Sequence, residues 1–355
     1  MAYRQVIAGR DRLNLLHRLQ LSPQSKTPDT VLEWTELDIR SAGIDNLPES
    51  IDRCRNVKEI YAAFNRLSLP QSISNLPHLT VLELSVNAFT TFPIALCDLT
   101  NLEKLYLGNN KLSDIPVDIT RMKGLREFWL SHNAFTTFPM ALCGLTNLEE
   151  LYLSNNQLSD IPVDITKMKG LKVFDLSSNA FTTFPIALCG LTNLEQLEMG
   201  DNQLSDIPVD ITKLTELKSL SLYNNKITHL PPQMRNMGNL TELDVANNPL
   251  VQPPIQTANR GLHAIKRYLQ ALTDTKAIQS SRIQVSFLGE TEAGKTSISR
   301  TLQLGQPALT KKADRTRVVE QGAWEADQDI SFNINDFGGH DVYKIGHPFL
   351  YPNMV

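Results

Sequence analysis

The chain has 355 residues, 41 % hydrophobic and 20 % charged, with a formal net charge of −4. That composition supports a packed core, and at about 150 residues per domain the length predicts two domains or three. The near-neutral balance excludes a nucleic-acid surface spread over the chain, and four cysteines exclude a disulfide scaffold. No apolar run reaches the roughly 20 residues of a membrane helix.

Residues 1–30 read as an N-terminal helical cap, with the helix over 5–21. The first twenty residues carry four arginines and one acid, so a transit peptide is the alternative. They lack the apolar centre of a secretory signal, and Ala2 argues against myristoylation. A cytoplasmic protein is the expectation.

Repeats dominate the chain after residue 30. NAFTTFP begins at Asn87, Asn133 and Asn179, and LSDIPVDIT begins at Leu112, Leu158 and Leu204. The long period is 46, and an asparagine after L-x-x-L-x-L-x-x halves it. That asparagine falls at Asn65, Asn87, Asn110, Asn133, Asn156, Asn179, Asn202, Asn225 and Asn248, with Ala42 in the first slot. Ten units over 31–253 with this pattern predict a leucine-rich-repeat solenoid.

Each unit has a physical logic. The L-x-L pair alternates with period two, so a short strand buries Leu105 and Leu107 and exposes Lys104 and Tyr106. The asparagine offers a donor and an acceptor to a buried turn. Prolines at Pro93, Pro116, Pro139, Pro162, Pro185 and Pro208 favour extended backbone over a full outer helix. Cys97, Cys143 and Cys189 repeat one phase two units apart, about 10 Å, beyond disulfide reach. Cys54 occupies a core slot.

The outward strand positions form the predicted concave face. Tyr61, Tyr106, Trp129 and Tyr152 make an aromatic strip, continued by Asp175 and Glu198 and bordered by Glu36, Glu59, Glu127, Glu150 and Glu242. Rigidly held aromatics anchor protein partners, and the acids favour a basic one. An ordinary solvated face with tyrosines chosen for strand propensity is the competing reading.

Residues 254–281 read as a capping helix, with Leu262, Ile265, Leu269 and Leu272 on one face, and a polar linker. Then Ile283, Val285, Phe287 and Leu288 read as a buried strand and Ser297–Leu304 as a helix. Between them Gly289-Glu290-Thr291-Glu292-Ala293-Gly294-Lys295-Thr296 fits the P-loop pattern. Its amides, with Ser297 opening the helix, would cradle phosphate. Lys295 would reach the β and γ phosphates, and the Thr296 hydroxyl would hold Mg²⁺. A glycine-rich structural turn is the competing reading. A second strand, DISFNIN, leads into Asp336-Phe337-Gly338-Gly339, the D-x-x-G pattern of switch GTPases. Asp336 would hold Mg²⁺ through water, and Gly339 would meet the γ phosphate. Thr316, in the intervening basic loop, is either the first-switch threonine on Mg²⁺ or a surface threonine.

Repeats followed by a short helix, GETEAGKTSI and DFGGHDVY resemble the Roco family. The resemblance implies that 282–355 is the first part of a Ras-like α/β GTPase domain, called Roc, cut short within it. It implies GTP/GDP and Mg²⁺ as cofactors. It puts His340 where such enzymes hold a water-positioning glutamine, and so implies slow hydrolysis. No [NT]-K-x-D string follows Asp336, so ATP stays open as the nucleotide.

The predicted fold class is α/β, a repeat solenoid followed by part of a P-loop domain. The predicted function is a GTP-binding signalling scaffold whose repeats bind protein partners, with no nucleic-acid or transmembrane partner. The alternative is a non-enzymatic repeat protein with a non-functional nucleotide domain. The family's dimerising segment is absent from this sequence, so dimerisation is not implied.

Overall fold

The computed structural model describes residues 4–6, 34–274, 282–287, 319–327 and 330–337, with side chains over 34–273. The chain divides into two compact units, Met1–Thr273 and Asp274–Val355.

The first unit is a solenoid built on one parallel sheet. Its eleven three-residue strands are β1 Arg4–Val6, β2 Glu36–Asp38, β3 Glu59–Tyr61, β4 Val81–Glu83, β5 Lys104–Tyr106 and β6 Glu127–Trp129. There follow β7 Glu150–Tyr152, β8 Val173–Asp175, β9 Gln196–Glu198, β10 Ser219–Ser221 and β11 Glu242–Asp244. Each pairs only with its neighbours in chain order. The register follows the repeat, so Leu105 lies beside Phe128 and Phe128 beside Leu151.

One expectation is corrected at the start. Arg4–Val6 forms a strand on β2, not the first turn of a helix. Parallel pairing gives the first repeat's open edge a backbone partner, which a helix beginning there could not supply. Residues 7–30 of the predicted cap lie outside the described residues.

Side chains alternate along each strand as period two demands. Leu105 and Leu107 are wholly buried, Lys104 is exposed, and Tyr106 is half-buried. No unit closes a core by itself; the middle residues of β2–β10 stack into one continuous apolar column. In alternate units Phe135 and Phe181 fill, fully buried, the slot that Leu112, Leu158 and Leu204 fill elsewhere.

The asparagines stitch adjacent units together. Asn156 Oδ1 accepts the Phe135 N–H at 3.1 Å, while its Nδ2 donates to Leu130 O at 3.1 Å and Leu153 O at 3.0 Å. The pattern recurs at Asn65, Asn110, Asn202, Asn225 and Asn248, all buried. Each amide therefore satisfies backbone groups of two units in a turn with no room for water. The residue before every one of these asparagines has positive φ, from Phe64 at +60° to Asn247 at +56°.

Opposite the strands, each proline is extended and starts a five-residue 3₁₀ segment, as Pro116 (φ −69°, ψ 153°) does for Val117–Arg121. A 3₁₀ turn is narrower than an α-helix and suits a short repeat. The four cysteines are buried and none forms a disulfide. Burial pushes the Cys97 and Cys189 thiols up to about 11.

After the last repeat come α1 Ile255–Ala258 and α2 Leu262–Asp274. Ile265 and Leu269 of α2 are buried on the repeat core. Lys266 donates from Nζ to Met237 O at 2.7 Å and Leu240 O at 3.1 Å, which satisfies carbonyls that a further repeat would otherwise cover.

Among the described residues of the second unit there are three strands, β12 Arg282–Phe287, β13 Val319–Asp327 and β14 Ile330–Phe337, in the order β12-β14-β13. β12 and β14 are parallel, with Phe287 beside Asp336; β13 is antiparallel to β14. The sequence pattern predicts a loop over 311–324. Its second part instead begins β13, where Val319 and Trp324 suit a paired strand.

Candidate protein-interaction face

The first and third residues of β2–β11 share one face of the sheet. They comprise ten acids and one base, a balance of −9 against −4 for the whole chain. The remainder is therefore +5, so charge is segregated onto the strand face.

Three aromatic residues meet at its centre. Register places Tyr106 beside Trp129 and Trp129 beside Tyr152. The Tyr106 and Trp129 rings are edge-on at 5.2 Å, and the Trp129 and Tyr152 rings tilt at 4.7 Å. Such pairs contribute about 0.5–1.5 kcal/mol each beyond area burial. Trp129 remains 40 % exposed.

The tyrosines are not free phenols on an open surface. Tyr152 donates to Glu150 Oε2 at 2.8 Å, Tyr61 to Glu59 Oε2 at 2.8 Å, and Tyr106 bonds Glu127. Burial and then these carboxylates drive all three phenols up, Tyr61 to about 12. Strand alternation alone predicts them exposed. For Tyr61 and Tyr152 the i, i+2 spacing sets the hydroxyl beside a glutamate of the same strand, whereas Tyr106 reaches Glu127 on the neighbouring strand, and all three rings are half-buried.

Tyr61 stands apart from this cluster, across Glu83. Arg40 lies over its ring at 5.2 Å and pairs with Asp38 at 2.8 Å. Asp175 and Glu198 sit side by side on β8 and β9. Asp175 accepts from the Ser177 hydroxyl, and Glu198 from Gln196 at 3.0 Å. Burial raises the Glu83 carboxyl above its usual range. Tyr223 is missing from the strip predicted by sequence. Its ring covers Gly200, where an added Cβ would come 2.0 Å from the ring, and its hydroxyl bonds Asp201. The signal was Gly200 itself, at a position serine holds in several other units.

The nucleotide motif falls largely elsewhere. Gly289, Glu290, Thr291, Glu292, Ala293, Gly294, Lys295, Thr296 and Ser297, with Thr316, Gly338, Gly339 and His340, lie outside the described residues. Asp336 is the next-to-last residue of β14. Among the described residues no group of three potential ligands could hold a metal ion, and no helix is long and apolar enough to cross a membrane.

Known proteins resemble the repeats. A leucine-rich-repeat model matches 100–158 and 146–204, and a two-copy leucine-rich-repeat model matches 77–120 and 192–232. The volume-regulated anion channel subunit LRRC8A of Rattus norvegicus is 35 % identical over 92 residues, which are 25 % of this chain and 11 % of that one. Adenylate cyclase of Schizosaccharomyces pombe is 38 % identical over 109 residues, 29 % of this chain and 6 % of that one. The matches thus span about a tenth or less of these relatives. Among solved structures, an LRR protein of Leptospira interrogans has a TM-score of 0.56 at 28 % identity, over 71 % of this chain and 66 % of that one. The plant peptide hormone receptor RGFR1, solved in complex with RGF2, has a TM-score of 0.50 at 28 % identity, over 61 % and 39 %. Period, parallel ladder and family models agree: this chain carries leucine-rich repeats.

Proposed function

We propose that the repeats form a protein-docking scaffold whose anchor is the Tyr106–Trp129–Tyr152 cluster. The observation that carries this reading is Trp129, exposed yet held between two rings on a rigid ladder. Aromatic anchors ringed by well-packed neighbours dominate binding energy at interfaces. The surrounding acids would draw in a basic partner and speed encounter. RGFR1, a structural neighbour, is a peptide receptor, which agrees with a binding role for such repeats.

The test is retention of partner proteins on the immobilised chain, compared with Trp129→Ala and with Val163→Ser on the opposite side. Trp129→Ala should abolish retention and cost about 1–3 kcal/mol from its two ring pairs, while Val163→Ser retains everything. Partners held equally by both variants would refute the reading.

A second reading has one observation in its favour. Because β12 and β14 are parallel with Phe287 beside Asp336, the glycine-rich stretch that begins two residues after Phe287 leaves the same sheet end as Asp336. Nucleotide sites on such sheets form outside the carboxyl ends of the strands. On this reading GTP and Mg²⁺ bind through Lys295, Thr296 and Asp336, and the repeats transmit the state of a cytoplasmic switch. Titration with fluorescent GTP and ATP analogues, with Lys295→Ala as control, decides it. Magnesium-dependent binding lost at least 10-fold in Lys295→Ala supports the switch; negligible binding by both forms leaves a scaffold without nucleotide chemistry.

A further inference from the structure

The parallel ladder of the repeats ends at β11, and its outer edge is open among the described residues. Glu242 N donates back to Lys218 O and Asp244 O accepts from Leu222 N, so both outer residues of β11 bond β10. The alternation of a parallel ladder leaves Thr241 C=O, Leu243 N–H and C=O, and Val245 N–H for a following strand. One unit earlier the counterparts are taken: Lys218 O accepts from Glu242 N at 3.0 Å, and Leu222 N donates to Asp244 O at 2.7 Å. None of the four groups on β11 has a hydrogen-bond partner among the described residues.

Apolar packing stops at the same place. The middle residues of β2–β10 are at most 1 % exposed, whereas Leu243 in the middle of β11 is only half-buried. α2 buries Ile265 and Leu269 on the core but leaves space along β11, where Leu243 and Leu262 both line an open cleft of about 500 Å³. Charge is unmatched there as well. Glu242 and Asp244 are exposed and have no ion-pair partner among the described residues. Elsewhere in the ladder opposite charges in register pair, as Lys104 on β5 does with Glu127 on β6 at 2.6 Å.

We propose that the β11 edge takes up an extended segment of a partner protein, in the residue order basic–apolar–basic, as a further parallel strand of the sheet. The segment's first N–H donates to Thr241 O and its third to Leu243 O, while its first and third carbonyls accept from Leu243 N and Val245 N. Its apolar middle residue covers Leu243, and its two bases stand beside Glu242 and Asp244. Strand addition of this kind draws affinity from main-chain bonds and specificity from alternate side chains. A second copy of this chain fits the edge less well. A two-fold β11–β11 pair sets Glu242 of one copy opposite Asp244 of the other, and like charges directly opposite are destabilising. The edge is five strands from Trp129 on β6, about 24 Å at ~4.8 Å per strand, so this site stands independently of the aromatic cluster.

The test is an NMR titration of the full chain with the acetylated and amidated peptide Thr-Lys-Leu-Lys-Thr, and with the same peptide N-methylated at both lysines. Saturable shifts and slowed amide exchange are expected at Leu243 and Val245, whose amides exchange freely in the chain alone. N-methylation removes both donors and keeps both charges, so it should weaken binding at least 10-fold. Glu242→Gln/Asp244→Asn should weaken it at least 5-fold, and Trp129→Ala should leave it unchanged. Equal binding of the methylated peptide, or no saturable shift at Leu243 and Val245, overturns the proposal. So does protection of these two amides in the chain alone. Protection that grows with concentration puts a second copy on the edge, and protection independent of concentration puts another part of this chain there. Loss of peptide binding in Trp129→Ala moves the peptide to the aromatic cluster and overturns the edge site as well.

Discussion

Replacing Asn156 by alanine should destabilise the solenoid far more than its place in a turn suggests. The side chain is 8 % exposed and serves three buried backbone groups: Phe135 N–H, Leu130 C=O and Leu153 C=O. Alanine leaves the Phe135 N–H without a partner, while Leu130 C=O and Leu153 C=O each keep one donor, Asn133 Nδ2 and Asn179 Nδ2. One orphaned donor at about 1–3 kcal/mol and two lost bonds at about 0.5–1.5 kcal/mol each give an expected loss of roughly 2–6 kcal/mol. That is a large share of the 5–15 kcal/mol by which a typical domain is stable. Two of the three groups belong to the preceding unit, so coupling between units is weakened as well. Urea unfolding followed by circular dichroism gives the magnitude. Hydrogen exchange should show the loss concentrated in the units on either side of β7. The neighbour Asn155 is the control: it is exposed, with φ +54°. Asn155→Ala loses only the ease with which asparagine adopts that backbone, below about 1–2 kcal/mol. Asn156→Asp keeps the acceptor for Phe135 N–H but replaces the donating Nδ2 by one oxygen that repels both carbonyls, so it should be no better than alanine. An Asn156→Ala chain within 1 kcal/mol of wild type, or no weaker than Asn155→Ala, would refute the reasoning.

Two further outcomes are expected. Tyr61 and Tyr223 are pushed up to about 12, Tyr61 mainly by burial and Tyr223 mainly by its bond to Asp201. A free phenol titrates near 10, so their contribution to stability is whole below about pH 10 and is lost as pH rises toward 12. Tyrosinate absorbance in Tyr223→Phe should lose a component near 12, and ionisation of that residue near 10 would contradict the geometry. The four buried thiols should resist a thiol-specific reagent at neutral pH until the chain is denatured, then react together. Rapid native labelling of Cys97 or Cys189 would show that burial does not protect them.

Much of the solenoid was legible because one residue pattern carries its whole logic. The 23-residue step alone implies the strand register, the buried leucines and the role of asparagine. Three features escaped for identifiable reasons. Positive φ at Phe64 and Val86 contradicts the preference of both side chains, and only the stack of neighbouring units enforces it. The bonding of Tyr61 and Tyr152 to glutamates depends on rotamers, which strand alternation does not specify. β1 borrows its partner from a strand thirty residues away, and no local periodicity announces such a pairing. In the second unit, the parallel pairing of β12 and β14 became visible only as backbone register.

The repeats also reveal which positions are free to serve function, because the chain holds several versions of one unit. LSDIPVDIT occurs three times without a change, and so does NAFTTFP. Those strings supply the extended proline, the 3₁₀ segment and the buried phenylalanine or leucine, all fixed by stacking against the next unit. The outward strand positions of the same units repeat only in part. Lys104 and Tyr106 become Glu150 and Tyr152, then Gln196 and Glu198; Val81 and Glu83 become Glu127 and Trp129, then Val173 and Asp175. On the opposite side exposed Val117, Val163 and Val209 are identical across their units, while Ile94 becomes Met140 and then Ile186, and Arg121 becomes Lys167 and Lys213. On the strand face the exchanges alter charge and ring content, and a ladder held by buried asparagines presents each side chain at a fixed place. A partner can therefore read the face as a row of distinct positions, with Trp129 near its middle and the acids Glu198, Glu242 and Asp244 toward its C-terminal end.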